Sequence, residues 1–153
     1  TPCGTLFPYT TLFRSDANAA VISRRDFVLD FVVESKTYVF YTDKKAEANY
    51  ITAVLNSQTP NILIKHFQSR GLFGPRDVHK KILDIPFPQF DNTNPVHKEI
   101  VKLSAACARK AKKYIRDNDL VGNEYSIGRV RVDFKTQIKK EMQRIDELVK
   151  RII

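Results

Sequence analysis

Cationic and hydrogen-bonding side chains crowd one stretch near the middle of the chain, HFQSRGLFGPRDVHKK (66–81). Arginine and lysine can neutralise phosphates, arginine can also bond the edge of guanine, and glutamine can pair with adenine. Two glycines would let the backbone approach a ligand closely. The pattern therefore predicts a nucleic-acid-binding segment. The candidate DNA-binding residues are Gln68, Ser69, Arg70, Arg76, His79, Lys80 and Lys81.

Purely structural roles fit the same residues. Arg70 could compensate a helix C-terminus, Arg76 could pair with Asp77, and Lys80 and Lys81 could be solvated surface charges. The GLFG stretch also matches the clamp loop of KH domains superficially. Pro75 and a proline-rich segment follow it, however, where a KH helix should continue.

Overall charge points in the same direction as the cluster. The chain has 26 basic and 17 acidic residues, a formal net charge of +9. A basic excess of this size favours a polyanionic partner, because attraction to successive phosphates is additive. Nucleic acid is a partner of this kind.

Signals for catalysis, metals and membranes are missing from the sequence. The three histidines have no partners at metal-ligand spacing, and no glycine-rich phosphate loop occurs. We expect no catalytic residue and no metal site. No apolar run approaches the ~18 residues that span a bilayer, so we expect no membrane partner. Cys107 is the single cysteine after residue 15, which suits a reducing cytoplasmic location.

The N-terminal run TLFPYTTLFRS (5–15) resembles the translation of a short-read sequencing adapter. It lacks the basic start and uninterrupted apolar core of a secretory signal. We therefore expect residues 1–15 to be non-native and the native sequence to begin near Asp16, leaving 25 basic and 17 acidic residues, a charge of +8. The alternative is a genuine N-terminal strand.

Residue patterns next predict the elements that would position the basic cluster. Residues 26–43 read as two strands with a turn at Glu34–Lys36. A helix follows, with Asp43 as N-cap and Ala46, Tyr50, Ala53 and Val54 on its apolar face. A second helix is predicted from Thr59 as N-cap and Pro60 to a stop at Gly71. Its core-facing residues would be Ile62, Leu63 and Phe67.

Further along, Pro86 and Pro88 predict an extended stretch, and Asn94 before Pro95 predicts a helix start. An apolar stripe continues from Val96 to Tyr114 over about six turns. A last helix is predicted to start near Ser126 and to reach Ile152. Two long amphipathic helices with a short connection should pack antiparallel. The predicted class is α+β: a small β-hairpin or sheet with packed helices, followed by a long antiparallel helical hairpin.

Residues 50–111 resemble the C-terminal part of adenine-specific DNA methyltransferases of restriction–modification systems. The resemblance rests on Leu55-Asn56-Ser57, the GLFG segment leading to Arg76–Lys80, the apolar-Pro run Ile85–Pro88, and the helix start Pro95–His97. The closing helix, with its IDELV pattern, is similar to the family's last helix. The match covers roughly residues 36–153.

The resemblance implies a target-recognition region that reads DNA, with a helical tail. Residues 16–92 would be the C-terminal half of that domain and residues 93–153 the helical hairpin. The family's adenine-holding and S-adenosylmethionine-binding motifs do not occur in this chain. The resemblance thus implies a non-enzymatic, cofactor-free fragment of metagenomic origin, whose partners are double-stranded DNA and a missing methyltransferase domain. The alternative is a stand-alone specificity subunit or a helical-hairpin protein-interaction module.

Overall fold

The computed structural model describes residues 3–8, 17–23, 37–67, 69–71, 74–76, 84–120 and 126–153. Helices predominate there, and short strands accompany them, which is compatible with the α+β class. The strands are β1 (Cys3–Pro8), β2 (Ala20–Ser23), β3 (Thr37–Thr42), β4 (Ser69–Gly71) and β5 (Gly74–Arg76). The helices are α1 (Lys45–Asn56), α2 (Gln58–Ile64), α3 (Pro95–Asp117), α4 (Ile127–Gln137) and α5 (Lys139–Val149).

Backbone pairing places β1 between β2 and β3, antiparallel to both, with Cys3 opposite Ser23 and Thr42. No native strand was expected in residues 1–15. Thr, Leu and Phe favour the extended conformation, which allows this segment to pair. Its adapter-like origin stays a prediction. β3 lies where the second predicted strand was expected, and the first predicted strand falls outside the described residues.

Helix α1 is placed by its apolar face, as predicted: Tyr50, Ala53 and Val54 are all buried. Its N-cap is Lys44, one residue after the predicted Asp43. Ser57 ends the helix, where both its backbone N–H and its hydroxyl donate to the carbonyl of Val54, at 3.1 and 2.6 Å. Local hydrogen bonding therefore produces the sharp junction with α2.

The prediction for α2 was wrong in its bounds and its buried face. Ser57, not Thr59, is the N-cap, and the α-helix ends at Ile64 with a 3₁₀ turn over Lys65–Phe67. Gly71 is a strand residue and not a helical stop. The predicted core residues Ile62, Leu63 and Phe67 are 54%, 41% and 59% exposed. The helix instead buries its opposite side, with Pro60, Asn61 and Ile64.

Helix α3 begins as predicted, because the Asn94 side chain accepts a hydrogen bond from the backbone N–H of Val96 at 2.9 Å and Pro95 occupies the first turn. It runs antiparallel to α4 and α5. Near its end the Tyr114 ring packs against Phe134 at a tilt of 47°, with ring centroids 5.7 Å apart, and near its start Glu99 pairs with Arg144. That guanidinium holds the pKa of Glu99 below its usual range.

The last predicted helix is interrupted at Ile138, which divides it into α4 and α5. The Thr136 hydroxyl donates to the carbonyl of Asp133 at 2.6 Å, a back-bond that commonly bends helices. The carbonyl of Gln137 accepts from the Lys110 ammonium at 3.1 Å, and the same ammonium pairs with Glu141 at 2.6 Å. Lys110 thus bridges the bend from α3.

One hydrophobic core joins α1 to the helical tail. Its buried members are Tyr50, Ala53 and Val54 from α1, Ile100 from α3, and Ile145, Leu148 and Val149 from α5. Fully burying side chains of this kind contributes roughly 1.5–3 kcal/mol each. The core therefore contains residues from both predicted ranges, 16–92 and 93–153. Among the residues described, no helix has the length and apolar character needed to cross a membrane.

Candidate nucleic-acid interface

The centre of the predicted DNA-binding cluster forms a tight antiparallel hairpin. Strand β4 pairs with β5 so that Ser69 lies opposite Arg76, Arg70 opposite Pro75, and Gly71 opposite Gly74. Only two residues separate the strands, and the glycine pair closes the hairpin next to that short connection. Glycine at both positions leaves room for another backbone or a ligand to approach.

The hairpin brings three predicted residues, Ser69, Arg70 and Arg76, onto adjacent strands. Because Arg70 faces Pro75 and Arg76 faces Ser69 in the register, the two arginines are not cross-strand partners. The other predicted DNA-binding residues, Gln68, His79, Lys80 and Lys81, lie outside the described residues. Their grouping on one face with the arginines stays a prediction.

Both ends of the segment that carries the hairpin meet at one small hydrophobic cluster. Leu55 and Ile64 are buried together, and Ile85 packs against them. Ile64 is the last residue of α2, and Ile85 lies four residues after the basic cluster. We call residues 65–84 the basic segment. The residues just before and just after it pack in the same hydrophobic cluster. Loops with closely spaced ends commonly carry function on a rigid scaffold.

The basic segment carries an excess of positive charge, as helices α3 and α4 also do. It holds five cations and two acidic residues, Asp77 and Asp84, for a net charge of +3. Lys65 and His66, at its start, are exposed, as is Asp84 at its end. The lysine and arginine side chains in such a segment would attract phosphates most strongly at low ionic strength.

Two asparagine side chains fix the α1–α2 junction, and α2 leads into the basic segment. Asn56 accepts from the backbone N–H of Ala19 at 2.7 Å and donates to the Ala19 carbonyl at 2.8 Å. Asn61 accepts from the N–H of Ala17 at 2.6 Å and donates to the carbonyls of Leu55 and Ser57 at 3.2 and 2.8 Å. These bonds satisfy the polar groups of Asn61 that α2 buries, and they hold residues 17–19 against both helices.

A chain of polar contacts fixes the proline-rich run that ends the basic segment. The Tyr50 hydroxyl donates to the carbonyl of Pro88 at 3.0 Å and lies 3.5 Å from Nε2 of His97. Nδ1 of His97 accepts from the backbone N–H of Asp91 at 3.0 Å. Because Nδ1 is the acceptor, the neutral imidazole carries its proton on Nε2, which points it at the Tyr50 oxygen.

Burial and ring packing also hold Tyr50 and His97 in place. Tyr50 is fully buried and His97 is 2% exposed, with ring centroids 4.6 Å apart, and Phe90 lies 5.6 Å from the Tyr50 ring. Desolvation raises the pKa of Tyr50 to about 12. A tyrosine in this setting stays protonated and serves as a structural donor, and nothing in the geometry makes it an acid–base catalyst.

Residues able to hold a metal ion do not cluster in the part of the chain that the structure describes. Cys107, on α3, is half-buried and packs against the main core. Burial raises the pKa of its thiol, and the nearby Glu141 carboxylate acts in the same direction. Both effects disfavour the reactive thiolate.

Sequence reasoning missed the structural residues that hold the basic segment. No hydrogen-bond partner was predicted for Asn56, Asn61 or His97. A usable signal was present for His97, because it follows the Asn94-Pro95 helix start closely and a buried histidine there can bond the preceding loop. Asn61 gave none, since an asparagine inside a helical pattern normally faces solvent.

No protein-family model matches this sequence, and searches of curated proteins and of solved structures gave no match either.

Proposed function

We propose that this chain is a DNA-recognition region of an adenine-specific DNA methyltransferase of a restriction–modification system, and that residues 65–84 contact the duplex. The resemblance of residues 50–111 to that family motivates the proposal. The observation that carries it is the pinned base of the basic segment, where Leu55, Ile64 and Ile85 bring its two ends together. The basic segment, which has a net charge of +3, is thereby held in place at both ends.

The motifs behind the resemblance have structural roles that suit this function. The Leu55-Asn56-Ser57 motif fixes the α1–α2 junction, and Pro88 and His97 are joined through Tyr50. These contacts fix the residues before and after the basic segment relative to α1. Preorganised support of this kind lowers the cost of ordering a loop on binding.

In this proposal the chain reads DNA and does not itself transfer methyl groups. The sequence contains neither the adenine-holding motif nor the S-adenosylmethionine-binding motif of the family. A methyltransferase domain would supply both, and the two would act in the cytoplasm on double-stranded DNA. Affinity from this chain alone should be weak, near the nonspecific range of roughly 10⁻⁴–10⁻⁶ M at physiological salt.

Single substitutions separate phosphate contacts from base contacts. We expect Lys80→Ala and Lys81→Ala each to reduce the log–log salt slope of binding by about one, with little change in sequence preference. Arg76→Ala should either do the same or cost ~1–3 kcal/mol at one base pair, unless Asp77 neutralises it. Lys98→Ala and Lys113→Ala, exposed positions on α3, are matched controls.

Fluorescence anisotropy with a duplex and with single-base variants of its sequence, at several salt concentrations, measures both quantities. The function is contradicted if affinity, salt slope and sequence preference stay unchanged in all three variants of the basic segment.

A further inference from the structure

A cleft of about 920 Å³ lies between α2 and the α4–α5 pair. Its floor includes residues 17–19 and the end of α1, and Asp146 closes it at one side by accepting from the backbone N–H of Gln58 at 2.8 Å. The cleft is thus formed by elements that are hydrogen-bonded to one another.

Two parallel rows of side chains line the α4–α5 wall. Arg131, Lys135 and Lys139 form a cationic row, and Phe134, Ile138 and Met142 form an apolar row. Within each row the residues are four apart, so they lie above one another on nearly the same helix face. Successive members are separated by about 6 Å along the helix. A basic stripe therefore runs beside an apolar stripe along this wall.

The α2 wall also carries one apolar and one cationic side chain, Ile62 and Lys65. Ile62 is 54% exposed, although the sequence pattern predicted it in the core. Lys65 is exposed as well. An isoleucine of this exposure beside partly exposed Phe134 and Ile138 leaves apolar surface that water solvates poorly.

The cationic residues of the cleft outnumber its acidic residues by four to one. The cations are Lys65, Arg131, Lys135 and Lys139, and Asp146 is the acid. In the described ranges, the ion pairs join other residues: Lys110 with Glu141, Arg116 with Asp117, and Arg144 with Glu99 and Glu147. The cleft cations are therefore available to an incoming negative charge.

We propose that this cleft docks an acidic amphipathic helical segment of a partner protein. Carboxylates four residues apart on such a segment would match the spacing of Arg131, Lys135 and Lys139, and the adjacent apolar residues would cover Ile62, Phe134 and Ile138. A nucleic-acid backbone would satisfy the cations but would leave the apolar row uncovered. The inference goes beyond the proposed DNA recognition, which uses the basic segment.

A displayed peptide library tests the proposal on the full chain. Its members are about 16 residues long, which supports a helix, with Asp or Glu every fourth residue beside a randomised apolar row. We expect enriched peptides to bind the chain and to keep both rows. A version with lysine in place of the acidic residues should not bind.

Three variants locate the binding surface. Arg131→Glu with Lys135→Glu should abolish peptide binding, whereas Arg109→Glu with Lys113→Glu, the same charge change and spacing on exposed α3 positions, should retain it. Ile62→Gln should weaken binding by about fivefold, because it removes apolar contact at an already exposed position. Circular dichroism spectra and melting curves confirm that each variant is folded.

Either of two results overturns the proposal. One is that no acidic peptide is enriched, or that enriched peptides bind equally to the Arg131/Lys135 variant. The other is that duplex DNA displaces the peptide while Ile62→Gln has no effect, which would make the cleft a nucleic-acid surface. DNA binding that fails in variants of the basic segment but persists in the Arg131/Lys135 variant separates this proposal from the function proposed above.

Discussion

Replacing Tyr50 by phenylalanine should destabilise the protein at neutral pH and remove a specific alkaline transition. The substitution deletes the donor to the Pro88 carbonyl and the oxygen that faces Nε2–H of His97, which is 2% exposed. Losing these bonds and leaving a buried N–H without its partner should cost about 1–3 kcal/mol. The thermal midpoint should then fall by roughly 4–8 °C for a loss near 2 kcal/mol.

The pH dependence of this effect has a definite sign. The pKa of Tyr50 is raised from 10.0 to about 12 in the folded state, so the stability it contributes is fully present below pH 10 and is lost as the pH rises through about 12. The wild-type protein alone loses this part of its stability. The difference between wild type and Tyr50→Phe should shrink by about 1.4 kcal/mol between pH 8 and pH 11.

Urea unfolding followed by circular dichroism, at constant ionic strength and at several pH values, measures this difference. Tyr41→Phe is the matched control, because Tyr41 is 71% exposed and its substitution should change little at any pH. Two results would refute the structural role assigned to the Tyr50 hydroxyl. One is equal stability of Tyr50→Phe and wild type at pH 8, and the other is a stability difference that stays constant up to pH 11.

Three further outcomes are expected. Thr52→Val should raise the free energy of unfolding by about 1 kcal/mol, because the Thr52 hydroxyl is buried and has no hydrogen-bond partner among the described residues; a lower urea midpoint would contradict this. Deleting residues 1–15 should, on the adapter interpretation, leave the thermal midpoint unchanged within about 2 °C, whereas a large fall would show that β1 is an integral strand. Calorimetry with S-adenosylmethionine should show no heat of binding, and micromolar affinity would mean that the chain carries a cofactor site.

Features fixed by local hydrogen bonding were predictable from the sequence. The start of α3 follows from Asn94 and Pro95, whose cap and ring satisfy the first turn without any distant contact. The start of α4 after Ser126 was also predicted, although within the described residues the Ser126 side chain makes no capping hydrogen bond. The buried face of α1 was predictable in part: Tyr50, Ala53 and Val54 are buried as one stripe, but Ala48 and Leu55 are buried as well and Ala46 is only partly buried.

Features decided by distant partners were not predictable. Helix α2 has apolar residues on two sides, and its packing buries Asn61 and Ile64 and leaves Ile62 exposed. Burying Asn61 is tolerated because Ala17, Leu55 and Ser57 satisfy its amide, and no periodicity signals such bonds. Likewise, the pinning of the basic segment depends on Ile64 and Ile85, which are 21 positions apart in sequence.

The salt dependence of DNA binding tests the proposed function most directly. Fluorescence anisotropy should show the full chain binding a labelled duplex, with log Kd rising linearly with log salt at about 0.9 for each phosphate contacted. The combined Lys80→Ala and Lys81→Ala variant should lower this slope by about two, and the combined Lys98→Ala and Lys113→Ala variant should leave it unchanged. An absence of binding at low salt, or an equal slope in both variants, would contradict DNA recognition by the basic segment.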